Sequence, residues 1–308
     1  MKVGSFPTPT ERHEIAGAPL WVKREDLSGS LYGGNKVRRL ETFFEHARKM
    51  KKSRVVTIGA VGSHHVLATT IYGGSEGFGV EAFLVAQPAS DHARDNIRSA
   101  LAHGLVAHAT WPVFLPRARL VRDAFYIPLG GSSLEGTLAA ASVAFELDQT
   151  YDWIVTALGS GGTAAGLAAG LARKALPTRV LAVTVAEPAL IVGWNAHVLY
   201  HRAARAMGAR ANHDCLVVDG SHLGRGYGYR TDEGVAASRV AAAIGIALDP
   251  TYTEKAFAAA LALQTREPNA KILYLHTCAK APKLLDSAPL PREIEKLLRV
   301  PPLALRER

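Results

Sequence analysis

The sequence predicts an α/β protein whose parallel sheets carry helices on both faces. Three observations point there. Short apolar, β-branched runs alternate with Ala-rich helical stretches along most of the chain. Strand-like runs pass into helices through turns rich in glycine and serine. And 308 residues, 48% of them hydrophobic, are enough for one large domain or two medium ones with their own cores.

The elements follow in order. "RVVTIGA" (54–60) reads as a strand, and "SHHVLATTIYGGSEG" (63–77) as a helix that ends in glycines. "VEAFLVA" (80–86) is the next strand. "SDHARDNIRSALAHG" (90–104) opens on a capping serine and stops at Gly104. "LVAHATW" and then "AFYIPLGGSSLEGTLAAASVAFEL" give a further strand, and a strand, turn and helix. The alternation continues with "DWIVTAL" (152–158), a short buried-type strand, and "GSGGTAAGLAAGLARKA" (159–175), a Gly-rich loop into a helix. "RVLAVTVAE" and "DCLVVDG" read as strands, "TDEGVAASRVAAAIG" as a capped helix and "KILYLHT" (271–277) as a late strand. No internal repeat or low-complexity linker marks a domain boundary.

No run approaches the roughly 20 apolar residues of a membrane span. The start, "MKVGSFPTPTERHE", turns polar and Pro-rich at once, so no secretory signal is read there and a cytoplasmic protein is expected. The two cysteines, Cys215 and Cys278, lack zinc-site spacing, so no metal is expected. The net charge of +9 fits acidic ligands, solubility or nucleic acid. Its densest run, "RKMKKSR" (48–54), closes a helix, where cations are favourable. No nucleic-acid motif accompanies it and aromatics are sparse, so a nucleic-acid partner is not expected.

Two stretches carry chemistry. "ALGSGGTAAG" (157–166) lies between a strand and a helix, where glycines let backbone N–H groups converge on an anion at the helix N-terminus. It has neither a dinucleotide GxGxxG frame nor a Walker lysine, which points to a phosphate but not to ATP or NAD. On spacing alone, a turn of small residues for close helix packing stands beside that reading. "LYGGNKVRRLE" (31–41) puts Lys36 at the mouth of a glycine turn, just before an amphipathic helix. An amine delivered there and a second site for a phosphate suit pyridoxal 5'-phosphate (PLP), whose aldehyde condenses with lysine. Burial lowers a lysine's pKa and makes it nucleophilic. A solvated lysine after a turn is the alternative.

"VKREDLSGSLYGGNKVRRLE" (22–41) resembles the lysine segment of the fold type II PLP enzymes, and more narrowly of the D-cysteine desulfhydrase and 1-aminocyclopropane-1-carboxylate (ACC) deaminase family. "TIGAVGSHHVLAT" (57–69), "GSGGTAAG", "GYGYRTDEG" (226–234), "LDPTYTEKA" (248–256) and "LYLHT" (273–277) are similar to further family segments in the same order. The resemblance implies a tryptophan-synthase-β-like fold: two parallel-sheet α/β domains with the cofactor in the cleft between them. It implies a large domain of residues 1–51 and 143–308 and an inserted small domain of 52–142. Family members are commonly dimers, so a homodimer is expected.

The resemblance also assigns roles. Lys36 matches the PLP lysine, beside Asn35, and Gly159, Ser160, Gly161, Gly162 and Thr163 match the phosphate loop. Ser63 matches the serine that, with its neighbours His64 and His65, holds the substrate carboxylate. His64 departs from the family's usual Asn, which bonds the cofactor's phenolic oxygen. Tyr227 and Tyr252 match two tyrosines that face the substrate and can donate a proton. Thr253 and Thr277 stand at the cofactor's ring nitrogen. ACC deaminases typically have Glu after the second tyrosine, whereas the desulfhydrase branch has Thr at both places. After Thr277 the family's Gly-Gly is replaced by "CAKAP", with Cys278 and Lys280.

These matches imply a PLP-dependent lyase acting on a small amino acid, with D-cysteine elimination to pyruvate, sulfide and ammonia as the leading activity. ACC deamination, and elimination or replacement on another amino acid, are the enzyme alternatives. A PLP-binding protein without catalysis is the non-enzyme one.

Overall fold

The computed structural model describes residues 2–186, 188–278 and 289–298. Along the chain, β1 (Thr10–Ile15) and β2 (Ala18–Arg24) precede α1 (Val37–Lys49). Then come β3 (Arg54–Ala60), α2 (His64–Ser75), β4 (Gly79–Val85), α3 (Asp91–Ala102), β5 (Val106–Ala109) and β6 (Ala124–Ile127). They are followed by α4 (Leu134–Phe145), β7 (Trp153–Leu158), α5 (Gly162–Arg173), β8 (Arg179–Thr184), α6 (Ala189–Ala206) and β9 (Leu216–Asp219). The last are α7 (Asp232–Ala243), α8 (Thr253–Arg266), β10 (Ile272–His276) and α9 (Arg292–Leu297). Among the described residues no helix is long and apolar enough to cross a membrane.

Two compact units result. The larger takes its described residues from Gly4–Arg39 and Ser132–Lys280, the smaller from Met1–Val3, Leu40–Gly131 and Ala281–Arg308. The expected small domain, 52–142, differs at both ends from 40–131. Most of α1 goes with the smaller unit because its apolar face packs there: Phe44 stacks on Phe78 with ring centroids 5.3 Å apart, and Phe43 lies 6.4 Å from Phe125. α4 goes with the larger unit because α5 lies flush against it. A Cβ on Gly166 would fall 2.3 Å from the Thr137 carbonyl oxygen, and one on Gly170 2.5 Å from that of Ala141.

In the larger unit six strands run in the order β1-β2-β10-β7-β8-β9. All neighbours are parallel except β1 and β2, which form an antiparallel hairpin through Ala16 and Gly17, both at positive φ. β7 is buried along its whole length. Ile154 and Leu158 join the core formed with α4, α5 and α6, while Trp153, Val155 and Ala157 join the core formed with α7 and α8. A strand covered on both faces reads as a near-continuous apolar run, as "WIVTAL" does, broken only by Thr156. Its C-terminal end opens into the glycine loop. The smaller unit has a four-stranded parallel sheet, β5-β4-β3-β6, and β3 ends just before Ser63.

Candidate active site

The glycine turn before α1 delivers Lys36. Gly34 takes φ +104, which only glycine adopts at ease. Its N–H donates to the Glu25 carbonyl at 2.8 Å, and its carbonyl accepts from Ser28 Oγ at 2.8 Å. It also bridges Cys278, while the Asn35 N–H donates to the Thr277 carbonyl at 3.1 Å. The turn is thereby tied to the C-terminal end of β10. Two residues past the lysine, Arg38 anchors the start of α1. It donates to both Glu25 oxygens at 2.7 Å and to Glu146 Oε2 at 2.9 Å.

Lys36 Nζ donates to Asn35 Oδ1 at 2.8 Å. Part of the side chain reaches solvent, yet the surroundings of the amine are protein. Burial, then the Arg39 charge, lowers its pKa to about 7, against an opposing pull from Cys278 and Asp249. A neutral amine near physiological pH is a nucleophile and a base.

The loop after β7 has the backbone freedom that an anion cradle needs. Gly161 has φ +98, and a Cβ there would meet Ala196 Cα of α6 at 3.1 Å. A Cβ on Gly159 would lie 3.0 Å from Tyr252 Cε1. Around the loop, Ser132 Oγ accepts from Gly162 N at 3.2 Å and lies 2.7 Å from Ser160 Oγ, while Asn195 Nδ2 donates to the Ser160 carbonyl at 2.8 Å. Thr163 Oγ1 accepts from Asn35 Nδ2 at 2.6 Å and from Arg39. Asn35 therefore links the lysine to the loop. Arg39 is 1% exposed, and burial pulls its pKa down to about 10. An anion in the cradle would relieve that penalty. The set thus fits a phosphate on the loop and an aldehyde at Lys36.

Two tyrosines stand beside it. The Tyr227 and Tyr252 hydroxyls are 2.9 Å apart with the rings edge to face. Burial pushes the Tyr227 phenol up to about 12 and Tyr252 well above its ordinary value, so both keep their protons. The Tyr227 loop is held by Lys255, which donates to the Leu223 and Gly226 carbonyls at 2.7 and 2.8 Å. Tyr252 and Thr253 are set by Asp249. Its Oδ1 accepts from the N–H groups of Thr251 and Tyr252 at 2.9 and 2.8 Å, and its Oδ2 from Thr253 N at 3.0 Å and Thr253 Oγ1 at 2.6 Å. The Thr253 hydroxyl proton is thus committed to Asp249. Thr277 is buried, its carbonyl on Asn35. Cys215 and Cys278 are free thiols, and burial, then Asp249, pushes Cys278 well up. Residues 279–282 of "CAKAP", with Lys280, lie outside the described residues.

The remaining expected residues lie in the smaller unit. Ser63 caps α2 and accepts from His65 N at 3.2 Å. His64 Nε2 lies 2.8 Å from His92 Nε2, so a single proton sits between the two rings. Close approach of α3 needs Gly62, where a Cβ would meet Ala93 Cα at 2.6 Å. His65, expected beside the substrate, has Nε2 2.9 Å from Thr57 Oγ1. That hydroxyl gives its own proton to the Ile127 carbonyl, so His65 donates to it and braces the sheet.

Sequence reasoning missed Arg39, Ser132, Asn195, Asp249 and His92. Arg39 carried a signal, three residues after Lys36 on the first turn of α1. Asp249 carried another, an Asp-Pro step before a helix. Ser132 and Asn195 carried none.

A family model described as "Pyridoxal-phosphate dependent enzyme" matches residues 3–277. A Pyrococcus horikoshii protein named "Putative 1-aminocyclopropane-1-carboxylate deaminase" is 32% identical over 286 residues, covering 87% of this chain and 86% of its own. The mitochondrial "Bifunctional D-cysteine desulfhydrase/1-aminocyclopropane-1-carboxylate deaminase" of Arabidopsis thaliana is 28% identical, covering 88% of this chain and 76% of its own. The crystal structure of an ACC deaminase homologue superposes with a TM-score of 0.80 at 28% identity, covering 90% of each chain.

Proposed function

Since the chain belongs to the pyridoxal-phosphate-dependent enzymes, and among them to the relatives named for ACC deaminase and D-cysteine desulfhydrase, we propose that it is a lyase that eliminates sulfide from D-cysteine. With one water the products are pyruvate, sulfide and ammonia. Pyridoxal phosphate, when bound, withdraws the electron pair released at the substrate's Cα.

The chain's residues divide the rest of the work. Lys36 would hold the cofactor's aldehyde carbon, and Gly159–Gly162, Thr163 and Arg39 would hold its phosphate. The Lys36 amine, lowered to a pKa of about 7, would serve as the base that takes the Cα proton. Asn35 orients Nζ through its 2.8 Å hydrogen bond. Tyr227 and Tyr252, kept protonated by burial, give a proton to the departing sulfur. The resemblance assigns the substrate carboxylate to Ser63, which caps α2.

The observation that carries the substrate choice is the state of Asp249 and Thr253. No carboxylate stands at residue 253. The nearby Asp249 accepts from three backbone N–H groups and one hydroxyl, and Cys278 bonds it as well, which occupies the roughly four acceptor sites of a carboxylate. It is therefore spent on capping α8 and not offered to a ring nitrogen. A ring without a carboxylate partner is a weaker electron sink, which suits loss of a good leaving group better than opening of a cyclopropane. The names of the relatives favour ACC deamination as the second reading. A panel of D-cysteine, L-cysteine and ACC separates the two, read as pyruvate against 2-oxobutanoate. Pyruvate from D-cysteine, abolished in Lys36→Ala together with the absorbance band of the lysine-bound cofactor, is the expected result. Turnover of ACC alone would overturn the substrate choice, and full activity in Lys36→Ala would overturn the mechanism.

A further inference from the structure

We propose that His197, His201 and His213 form a binding site for a divalent first-row transition-metal ion, zinc in the first place, with three imidazole ligands and one open position. The site lies within the larger unit and shares no residue with the candidate active site. His197 and His201 are four apart on α6, so they stand one turn apart on the same helix face. His213 opens the 3-10 turn His213–Cys215 that follows the helix. Each imidazole offers one nitrogen, and the three nitrogens lie within 4.8 Å of one another. Zinc–nitrogen bonds of ~2.0–2.1 Å put tetrahedral ligands about 3.4 Å apart, so the nitrogens would draw together by no more than about 1.4 Å on binding. The His201 and His213 rings already lie against each other, tilted by 53° with centroids 4.9 Å apart.

The backbone around the cluster is built to hold it. The Tyr200 hydroxyl accepts from Asn212 N at 2.9 Å and donates to the Asn212 carbonyl at 3.2 Å. The residue before His201 thus clamps the residue before His213. Asn212 Oδ1 then accepts from Asp214 N at 3.1 Å, which shapes the turn. His197 Nδ1 is buried and has no hydrogen-bond partner among the described residues, whereas buried polar atoms are almost always paired, so that nitrogen is not committed elsewhere. Neutral imidazoles suit zinc, copper and nickel and do not suit magnesium or calcium. Three protein ligands leave a coordination position for water. Two histidines in a helix repeat were visible in the sequence, but the third is placed only by the fold.

The test uses tag-free, cofactor-loaded enzyme, stripped of metal with a chelator and titrated with zinc in a calorimeter. One zinc per chain is expected. Cobalt in its place should give the intense visible bands of a low-coordinate site. Removing a group that only braces a metal's ligand costs about 10–100-fold in affinity, so loss of a ligand itself in His201→Ala or His213→Ala should cost at least about 100-fold. Far-ultraviolet circular dichroism should be unchanged, since His213 is exposed and its loss empties no core. Zinc affinity unchanged in both variants, or a cobalt spectrum like that of the aqueous ion, would overturn the site. Neither readout depends on the enzyme's substrate.

Discussion

Lys36 is held where burial works against its charge, and in its proposed role that cost serves its chemistry. Its pKa of about 7 means that half the amine is neutral near physiological pH, whereas an ordinary lysine titrates near ~10.4. Only the neutral amine attacks an aldehyde. The rate at which cofactor-free protein takes up pyridoxal phosphate should therefore rise with pH, pass its midpoint near 7 and level off above. Growth of the bound-cofactor absorbance band across buffers measures it, and a midpoint near 10 would show a solvated amine. The turn before Lys36 and the loop from Gly159 were legible as structure because their signals are local: glycines, two of which take positive φ, and a lysine just before a helix. Arg39 was half legible, being on the same turn. Asn195 and Ser132 were not, because they meet Ser160 from elements 35 and 28 residues away. Side-chain reach across the fold leaves no mark on local sequence.

Elements built by a single periodicity were the readable ones. β7 and α5 declared themselves by a near-continuous apolar run and by glycines followed by Ala and Leu. The β1–β2 hairpin did not, since one of its two positive-φ turn residues is Ala16 at φ 52, where Asn or Asp is the usual signal. α6 did not either, because its outer face carries exposed Leu190, Ile191 and Trp194, which blur the amphipathic pattern. The glycine-rich stretch from 159 to 175 had two readings on sequence, an anion cradle or close helix packing, and the structure uses its two ends differently. Gly161 shapes the loop, while Gly166 and Gly170 let α4 approach α5. That division makes Gly166→Ala informative. Alanine in a helix gains about 1 kcal/mol over glycine. Here the new Cβ would lie 2.3 Å from a backbone oxygen that cannot swing aside, and overpacking costs about 1–3 kcal/mol. At so short a contact the upper figure applies, for a net loss of about 2 kcal/mol. The urea midpoint should fall for Gly166→Ala and hold or rise for Gly74→Ala, whose Cβ meets nothing closer than 3.7 Å. Equal shifts in the two variants would remove the packing explanation.

At the scale of the whole molecule, the sequence made the alternation of strands and helices legible but not what fastens the N-terminal segment to the rest of the larger unit. That task falls to a buried ionic network. Glu25, fully buried, accepts from Thr8 Oγ1 and twice from Arg38, each at 2.7 Å. Arg38 and Lys23 both reach Glu146, at the end of α4, with Lys23 Nζ 2.8 Å from Oε2. Single residues in β2, in α1 and beyond α4 are thereby joined, and the turn that carries Lys36 lies between the first two. Burial alone would raise the Glu146 pKa, but hydrogen bonds and charge from Arg38 and Lys23 outweigh it and hold the carboxyl below its ordinary 4.5. A carboxyl lowered on folding stabilises fully above its unfolded value, and that contribution fades as pH falls through the folded one. Removing one partner of a buried ion pair costs about 3–5 kcal/mol. Glu146→Gln should fall at the low end, because Arg38 keeps Glu25 and Lys23 keeps the Thr8 carbonyl at 2.5 Å. At neutral pH its urea midpoint should therefore lie well below wild type. Below pH 4.5 wild type should lose stability more steeply than the variant, so the two midpoints should converge in acid. Midpoints that coincide at neutral pH, or a gap that persists unchanged in acid, would show that the N-terminal segment is held by apolar packing instead.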